Sequence, residues 1–162
     1  MSAANAEPNS ELIDKHHTLM ISMKYGRANV VAGAVGLLLA GLGGMALGLT
    51  FDTYSVKDGN HLLSVVRFYL REGHSHGMPI ALFNLLVGSI VDHLGLADRS
   101  KRLCSITAIV GLVLPFGLAL KGASGAPSSF PPIGLIGVVG MLASVCYLLV
   151  GALRMRSGAD GS

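Results

Sequence analysis

Two histidines separated by a single residue, His74 and His76, form the strongest candidate ligand site in this chain. In an extended segment, residues i and i+2 point the same way, so both imidazoles could reach one metal ion. Glu72 and Met78 flank the pair and could complete the shell. Neutral imidazole suits copper, zinc and iron, and a thioether favours Cu(I). The spacing therefore predicts a metal site formed by His74, His76, Glu72 and Met78.

The same histidines also fit a haem. His74 or His76 could bind a haem iron axially, and His61 is a further candidate for binding the cofactor. A simpler interpretation is that both histidines cap the following helix or bond lipid headgroups, because a His-x-His pair supplies only two of the three or four ligands that a zinc site needs. The sequence leaves copper, zinc, iron, a single haem and no cofactor as alternatives.

A second set of polar residues follows the histidines on the same predicted helix. Asn84 and Asp92 share one helical face with Gly77, Ala81 and Gly88, and His93 comes directly after Asp92. Asn84 is expected to form a hydrogen bond between helices. For Asp92 and His93 the expectation is an ion pair with the basic turn at residues 97–102. The alternative is a proton pathway running from the histidines past Asn84 to Asp92.

The composition indicates a membrane protein. Of the 162 residues 51% are hydrophobic, only 13% are charged, and the mean hydropathy is +0.61. That charged share is about half the usual value for a soluble domain. A net charge of +3 is too small to indicate a nucleic-acid partner. Cys104 and Cys146 lie inside apolar runs without CxxC spacing, so we expect both to be free and buried.

Four apolar segments are candidates for membrane spans. We predict an all-α, antiparallel four-helix transmembrane bundle, in which every span has a face of small residues. An amphipathic helix at residues 11–25 is predicted within an N-terminal arm (1–27). An interfacial helix at 61–71 is expected between the first two spans, and residues 154–162 form a polar tail. The membrane domain covers residues 28–153, with spans at about 30–51, 78–96, 103–120 and 132–153.

The distribution of basic residues predicts the topology. The N-terminal arm, the loop between spans two and three and the tail together carry eight lysines and arginines, and the other side carries four. Because cytoplasmic loops are enriched in these residues, both termini are expected in the cytoplasm of an inner-membrane type protein. His74 and His76 would then lie on the outer side.

The sequence lacks the residues that several activities require. Spans one, three and four contain no histidine in their middle, which argues against a transmembrane ladder of two haems. CxxCH, HExxH and a nucleotide-binding glycine loop are absent. The first span carries no acidic residue, unlike a small proton-coupled multidrug exporter.

The leading hypothesis is a subunit or accessory protein of a membrane redox or metal-handling assembly, not an enzyme on its own. It would hold a metal or haem at the outer mouth of the bundle. The small-residue faces predict a homo-oligomer or a larger membrane complex within the lipid bilayer. The alternatives are a scaffold subunit without a cofactor, and a small transporter or enzyme that uses the stripe from Asn84 to Asp92.

Overall fold

The described part of the chain is helical. A computed structural model describes residues 23–50, 61–124 and 132–159, with side chains for 23–50, 66–124 and 133–155. Within these ranges the chain forms five α-helices and one short 3-10 turn, and no strand. They are α1 (Arg27–Leu49), α2 (His61–Ile90), the 3-10 turn (Val91–His93), α3 (Asp98–Gly111), α4 (Val113–Ala123) and α5 (Pro132–Ala159).

Helices α1 and α2 run antiparallel in close contact, and α2 also packs against α3 and α4. At one end, Asp92 accepts hydrogen bonds from the backbone just before α1. At the other end, Arg67 near the start of α2 donates to Leu47 near the end of α1. We call these the Asp92 end and the Arg67 end. Helix α5 packs on α3 and α4, on the side away from α1.

The helix that carries the two histidines is longer than predicted. Residues 61–90 form one continuous helix, so the predicted break between a helix at 61–71 and a second helix beginning at residue 78 is wrong. Gly73 and Gly77 do not break the helix, because they are contact points. A Cβ on Gly73 would lie 3.0 Å from the Pro115 carbonyl oxygen, and one on Gly77 would lie 3.2 Å from Ala40 Cβ. Pro79 lies inside the helix.

Among the described residues, three helical stretches are long and apolar enough to cross a membrane, judged by length and composition. They are Arg27–Leu49, Asp98–Ala123 and Ile133–Met155. These confirm the predicted apolar helices one, three and four, whereas α2 does not meet the same test. Helix α2 contains charged residues in its first half. One face of its second half is buried among the other helices, whereas Leu82 and Leu86 are each 53% exposed. Ala81 and Val87 are fully buried there.

The third apolar stretch has an irregular middle. Helix α3 ends at Gly111, Leu112 follows as a turn residue, and α4 begins at Val113. Pro115 lies in the first turn of α4. Because proline has no backbone N–H, it cannot donate a hydrogen bond to the Gly111 carbonyl. Pro115 therefore accounts for the interruption between α3 and α4.

The two chain ends differ from the prediction where they are described. Residues 23–26 lead into α1 without helical structure, so the N-terminal helix does not extend to residue 25. The rest of that predicted helix, residues 11–22, lies outside the described residues. Helix α5 continues to Ala159, so most of the expected polar tail is helical. Cys104 is buried as expected, but Cys146 is exposed.

Small residues set the spacing of α1 and α2, which gives a test of the packing. A Cβ on Gly33 would lie 2.7 Å from the Ala81 carbonyl oxygen, whereas one on Gly41 would meet nothing within 4 Å. We expect Gly33→Ala to lower the free energy of unfolding by about 1–3 kcal/mol through overpacking. Gly41→Ala should leave it unchanged or raise it by up to about 1 kcal/mol, since alanine is the better helix former. Thermal unfolding of both variants in the same detergent measures the difference, and equal midpoints would contradict the close contact.

Candidate functional site

His74 is fixed by a hydrogen bond to the neighbouring helix. Its Nδ1 lies 2.6 Å from the Ala40 carbonyl oxygen in α1. Because a carbonyl oxygen can only accept, Nδ1 carries the hydrogen, and the lone pair of the neutral ring lies on Nε2. Gly44 leaves room for the ring, since a Cβ there would lie 2.8 Å from Nε2. Histidines that bind metals usually have this arrangement, with the second ring nitrogen donating to a carbonyl or carboxylate.

His76 lies on another side of α2. His74 and His76 are two residues apart on a helix, so they point about 200° apart around its axis. The extended geometry expected for the pair is therefore wrong. The Nδ1 of His76 is 2.9 Å from the Glu72 carbonyl oxygen and 3.6 Å from the Glu72 carboxylate. Its side chain is 47% exposed. Glu72 therefore belongs with His76 on the exposed side, and not with His74.

The two remaining predicted ligands, Met78 and His61, also belong to α2. Met78 follows one turn after His74 and is 37% exposed. His61 is the first residue of α2, and its side chain lies outside the described residues. Among the described residues, no group of three or more His, Cys, Asp or Glu side chains is close enough to hold a metal ion. Of the four residues proposed as metal ligands, His74 and Met78 thus share one side of α2, and Glu72 and His76 share another.

A groove beside His74 is the main cavity of interest. It has a volume of about 870 Å³, within the usual range for ligand pockets. Helix α2 forms its floor, and α1 and α4 form its walls, because both pack on α2 but make few contacts with each other. Most of the lining is apolar, and Arg67, His74 and Thr50 are its polar residues. It is lined by Ala32, Val35, Gly36, Leu39, Ala40, Gly43, Ala46, Leu47, Thr50, Val66, Arg67, Leu70, Gly73, His74, Gly77, Leu112, Val113, Pro115, Phe116 and Ala119.

Arg67 lies at one end of the groove, beside the C-terminal end of α1. Its guanidinium donates to the Leu47 carbonyl at 2.8 Å and to the Thr50 carbonyl at 3.4 Å. Leu47 lies in the last turn of α1 and Thr50 directly follows the helix, at the end where a cation also interacts favourably with the helix dipole. The two bonds hold a positive charge beside the groove.

Asn84 takes part in a buried network that joins three helices. Asn29 of α1 donates to the Asn84 side-chain oxygen at 3.1 Å and to the Ser105 carbonyl at 3.0 Å. Asn84 donates to the carbonyls of Ile80 (3.0 Å) and Ala108 (2.9 Å). The Ser105 hydroxyl bonds the Asn29 side-chain oxygen. Both asparagines are fully buried, and every amide hydrogen has an acceptor, so the network resembles structural support rather than a water path.

Asp92 acts as a cap for α1. Its carboxylate accepts the backbone N–H groups of Tyr25 (3.1 Å) and Gly26 (3.1 Å), at the positive end of the helix dipole. Lys101 reaches the Asp92 backbone carbonyl (2.7 Å) rather than the carboxylate, so it does not form the expected ion pair. His93 is exposed at the end of the 3-10 turn. Nearby, Lys24 and Asp98 form an exposed ion pair at 2.9 Å.

Sequence reasoning missed Asn29, Ser105 and Arg67 as partners in these sites. Asn29 could have been noticed as a polar residue at the start of an apolar helix, and Asn84 as a residue in need of an amide partner. Arg67 gave no such signal. Its role depends on where α1 ends relative to α2, which local periodicity does not contain.

Comparison with protein-family models, with curated proteins and with solved structures finds no significant match for this chain. The site is therefore interpreted from its own geometry.

The asparagine network predicts a large effect of an isosteric substitution. Asn84→Leu removes the acceptor for one Asn29 N–H and should lower the free energy of unfolding by about 1–3 kcal/mol. Ser89→Ala is the matched control on the same helix, because Ser89 is exposed and bonds only its own helix. Its effect should stay within about 0.5 kcal/mol. Chemical unfolding monitored by circular dichroism compares the two, and a fully stable Asn84→Leu variant would contradict the network's structural role.

Proposed function

We propose that this protein is a small multi-span membrane protein that holds a metal-containing cofactor in the groove through His74. It would serve as a subunit or accessory protein of a membrane redox or metal-handling assembly. The observation that carries this proposal is the hydrogen bond from His74 Nδ1 to the Ala40 carbonyl. It leaves Nε2 as the nitrogen with a lone pair on a residue that lines a large apolar groove.

Haem fits this groove better than a bare metal ion. A zinc ion would need three or four protein ligands, and His74 lies on a different side of α2 from Glu72 and His76. A haem supplies four nitrogen ligands itself and needs only one or two axial ligands from the protein. A long apolar groove also suits a porphyrin, whose faces are apolar. Iron held in a haem is thus our preferred form of the cofactor.

The membrane setting is supported by the apolar surface of the long helices. Leu38 and Leu49 on α1 and Val139 and Leu149 on α5 are 60–80% exposed. We propose that these faces contact lipid, and that α2 crosses the bilayer as a fourth span that its neighbours cover on one face. With both termini in the cytoplasm, the Arg67 end and the groove mouth would lie on the outer side.

A scaffold role without a cofactor is the second candidate. Gly41 and Gly48 lie on α1 with open space where a Cβ would be. Such small residues allow another helix to approach closely, either from a second copy or from a partner subunit. A transporter or enzyme that uses Asn84 and Asp92 has less support, because both side chains bond the protein's own groups.

The cofactor proposal predicts that His74 is needed for haem binding and that His76 is not. Protein purified from membranes should contain iron and show a haem absorption band. His74→Ala should lose most of both, because the axial ligand is removed. His76→Ala is the matched control and should retain them, since His76 lies on the exposed side of α2. Metal analysis measures the iron content of each variant, and an optical spectrum measures its haem absorption band. Wild-type protein without metal or haem, or a His74→Ala variant with unchanged content, would refute the proposal.

The proposed topology is tested by labelling single cysteines. In a variant carrying Cys104→Ala and Cys146→Ser, Ala97→Cys lies at the Asp92 end and Ser124→Cys at the Arg67 end, both at exposed positions. A membrane-impermeant maleimide should label Ser124→Cys in intact cells, and Ala97→Cys only after permeabilisation. Labelling of both from the same side would show that α3 and α4 do not cross the membrane.

A further inference from the structure

Arg67 and His74 share one face of α2 at a defined separation. They are seven residues apart, which is two helical turns, or about 10 Å along the axis. Both line the groove, Arg67 at the Arg67 end and His74 deeper along it. A ligand held by His74 would therefore extend towards the Arg67 guanidinium if its long dimension followed the groove.

Three basic residues with described side chains, Arg67, Arg71 and Lys121, lie at the Arg67 end together with the acidic Glu72. The bonds to Leu47 and Thr50 orient the Arg67 guanidinium beside the apolar groove. Arginine binds carboxylates with strong, charge-assisted hydrogen bonds. Such a bond is stronger next to apolar walls than in water.

We propose that Arg67 binds a propionate carboxylate of a haem whose iron is bound by His74 Nε2. This inference rests on the proposed function, and adds that the haem lies along the groove with its propionate edge towards the Arg67 end. A haem has the required shape, with an iron at the centre of an apolar ring and two carboxylates on one edge. Arg67 thus fixes the orientation of the ring, and His74 fixes its position along the groove.

The position of Gly43 gives an independent way to block the groove. Gly43 lines the wall, and a Cβ there would meet nothing within 4 Å. A leucine at this position would therefore project into open space without pushing helices apart. Gly41 is equally open but does not line the groove, so it provides a matched control on the same helix.

The experiment compares two probes on the full-length protein in detergent, freed of any bound cofactor. Haem and haem dimethyl ester, which lacks the carboxylates, are titrated while the absorption band is recorded. Wild-type protein should bind haem at least about tenfold more tightly than the ester. Arg67→Gln should lose that preference, Arg67→Lys should keep part of it, and Arg71→Gln should keep all of it. Gly43→Leu should weaken the binding of both probes, and Gly41→Leu should weaken the binding of neither.

Each other outcome has a distinct meaning. Equal binding of haem and ester by the wild type, with a band that depends on His74, would overturn the role of Arg67 and leave the proposed function standing. A loss of preference in Arg71→Gln as large as in Arg67→Gln would overturn it as well. Unchanged binding in Gly43→Leu would place the haem outside the groove. If neither probe binds and extraction yields only phospholipid or quinone, both the proposed function and this inference fail.

Discussion

The structure depends on the need of α2 to satisfy polar groups in apolar surroundings. This helix carries Arg67, His74 and Asn84, and each bonds a group on a neighbouring helix. An unpaired polar group buried away from water costs several kcal/mol, so these bonds restrict how α2 can sit. The helix therefore packs against α1, α3 and α4 at once, and its neighbours present the long apolar surfaces.

Close helix contacts make these hydrogen bonds possible. Gly33 and Gly44 on α1 let the backbone and the His74 ring come near, and Gly73 and Gly77 on α2 do the same for α4 and α1. If larger side chains separated α1 from α2, His74 Nδ1 could not reach the Ala40 carbonyl. The same contacts leave α1 and α4 apart above α2, and this separation is what opens the groove.

The sequence predicted the helical class and three of the long apolar helices, because uncharged runs of about 20 residues are a strong signal. It failed at α2. Gly73, Gly77 and Pro79 resemble helix breakers when read locally, but the glycines are contact points and the proline is tolerated within the packed helix. This error also produced the extended His-x-His geometry. Asn84 was correctly expected to bond between helices, whereas Asn29 and Arg67 required knowledge of which helix ends meet.

Helical geometry also changes which residues can act together. Along a helix, residues i and i+2 separate, whereas residues i and i+7 align. His74 therefore points to a different side of the helix from His76, although the two are close in the sequence. It shares a face with Arg67, two turns away. One fixed imidazole and one fixed guanidinium along an apolar groove suit a ligand with a metal at its centre and an anionic edge. They suit a bare ion poorly, since an ion would need its ligands close together around one point.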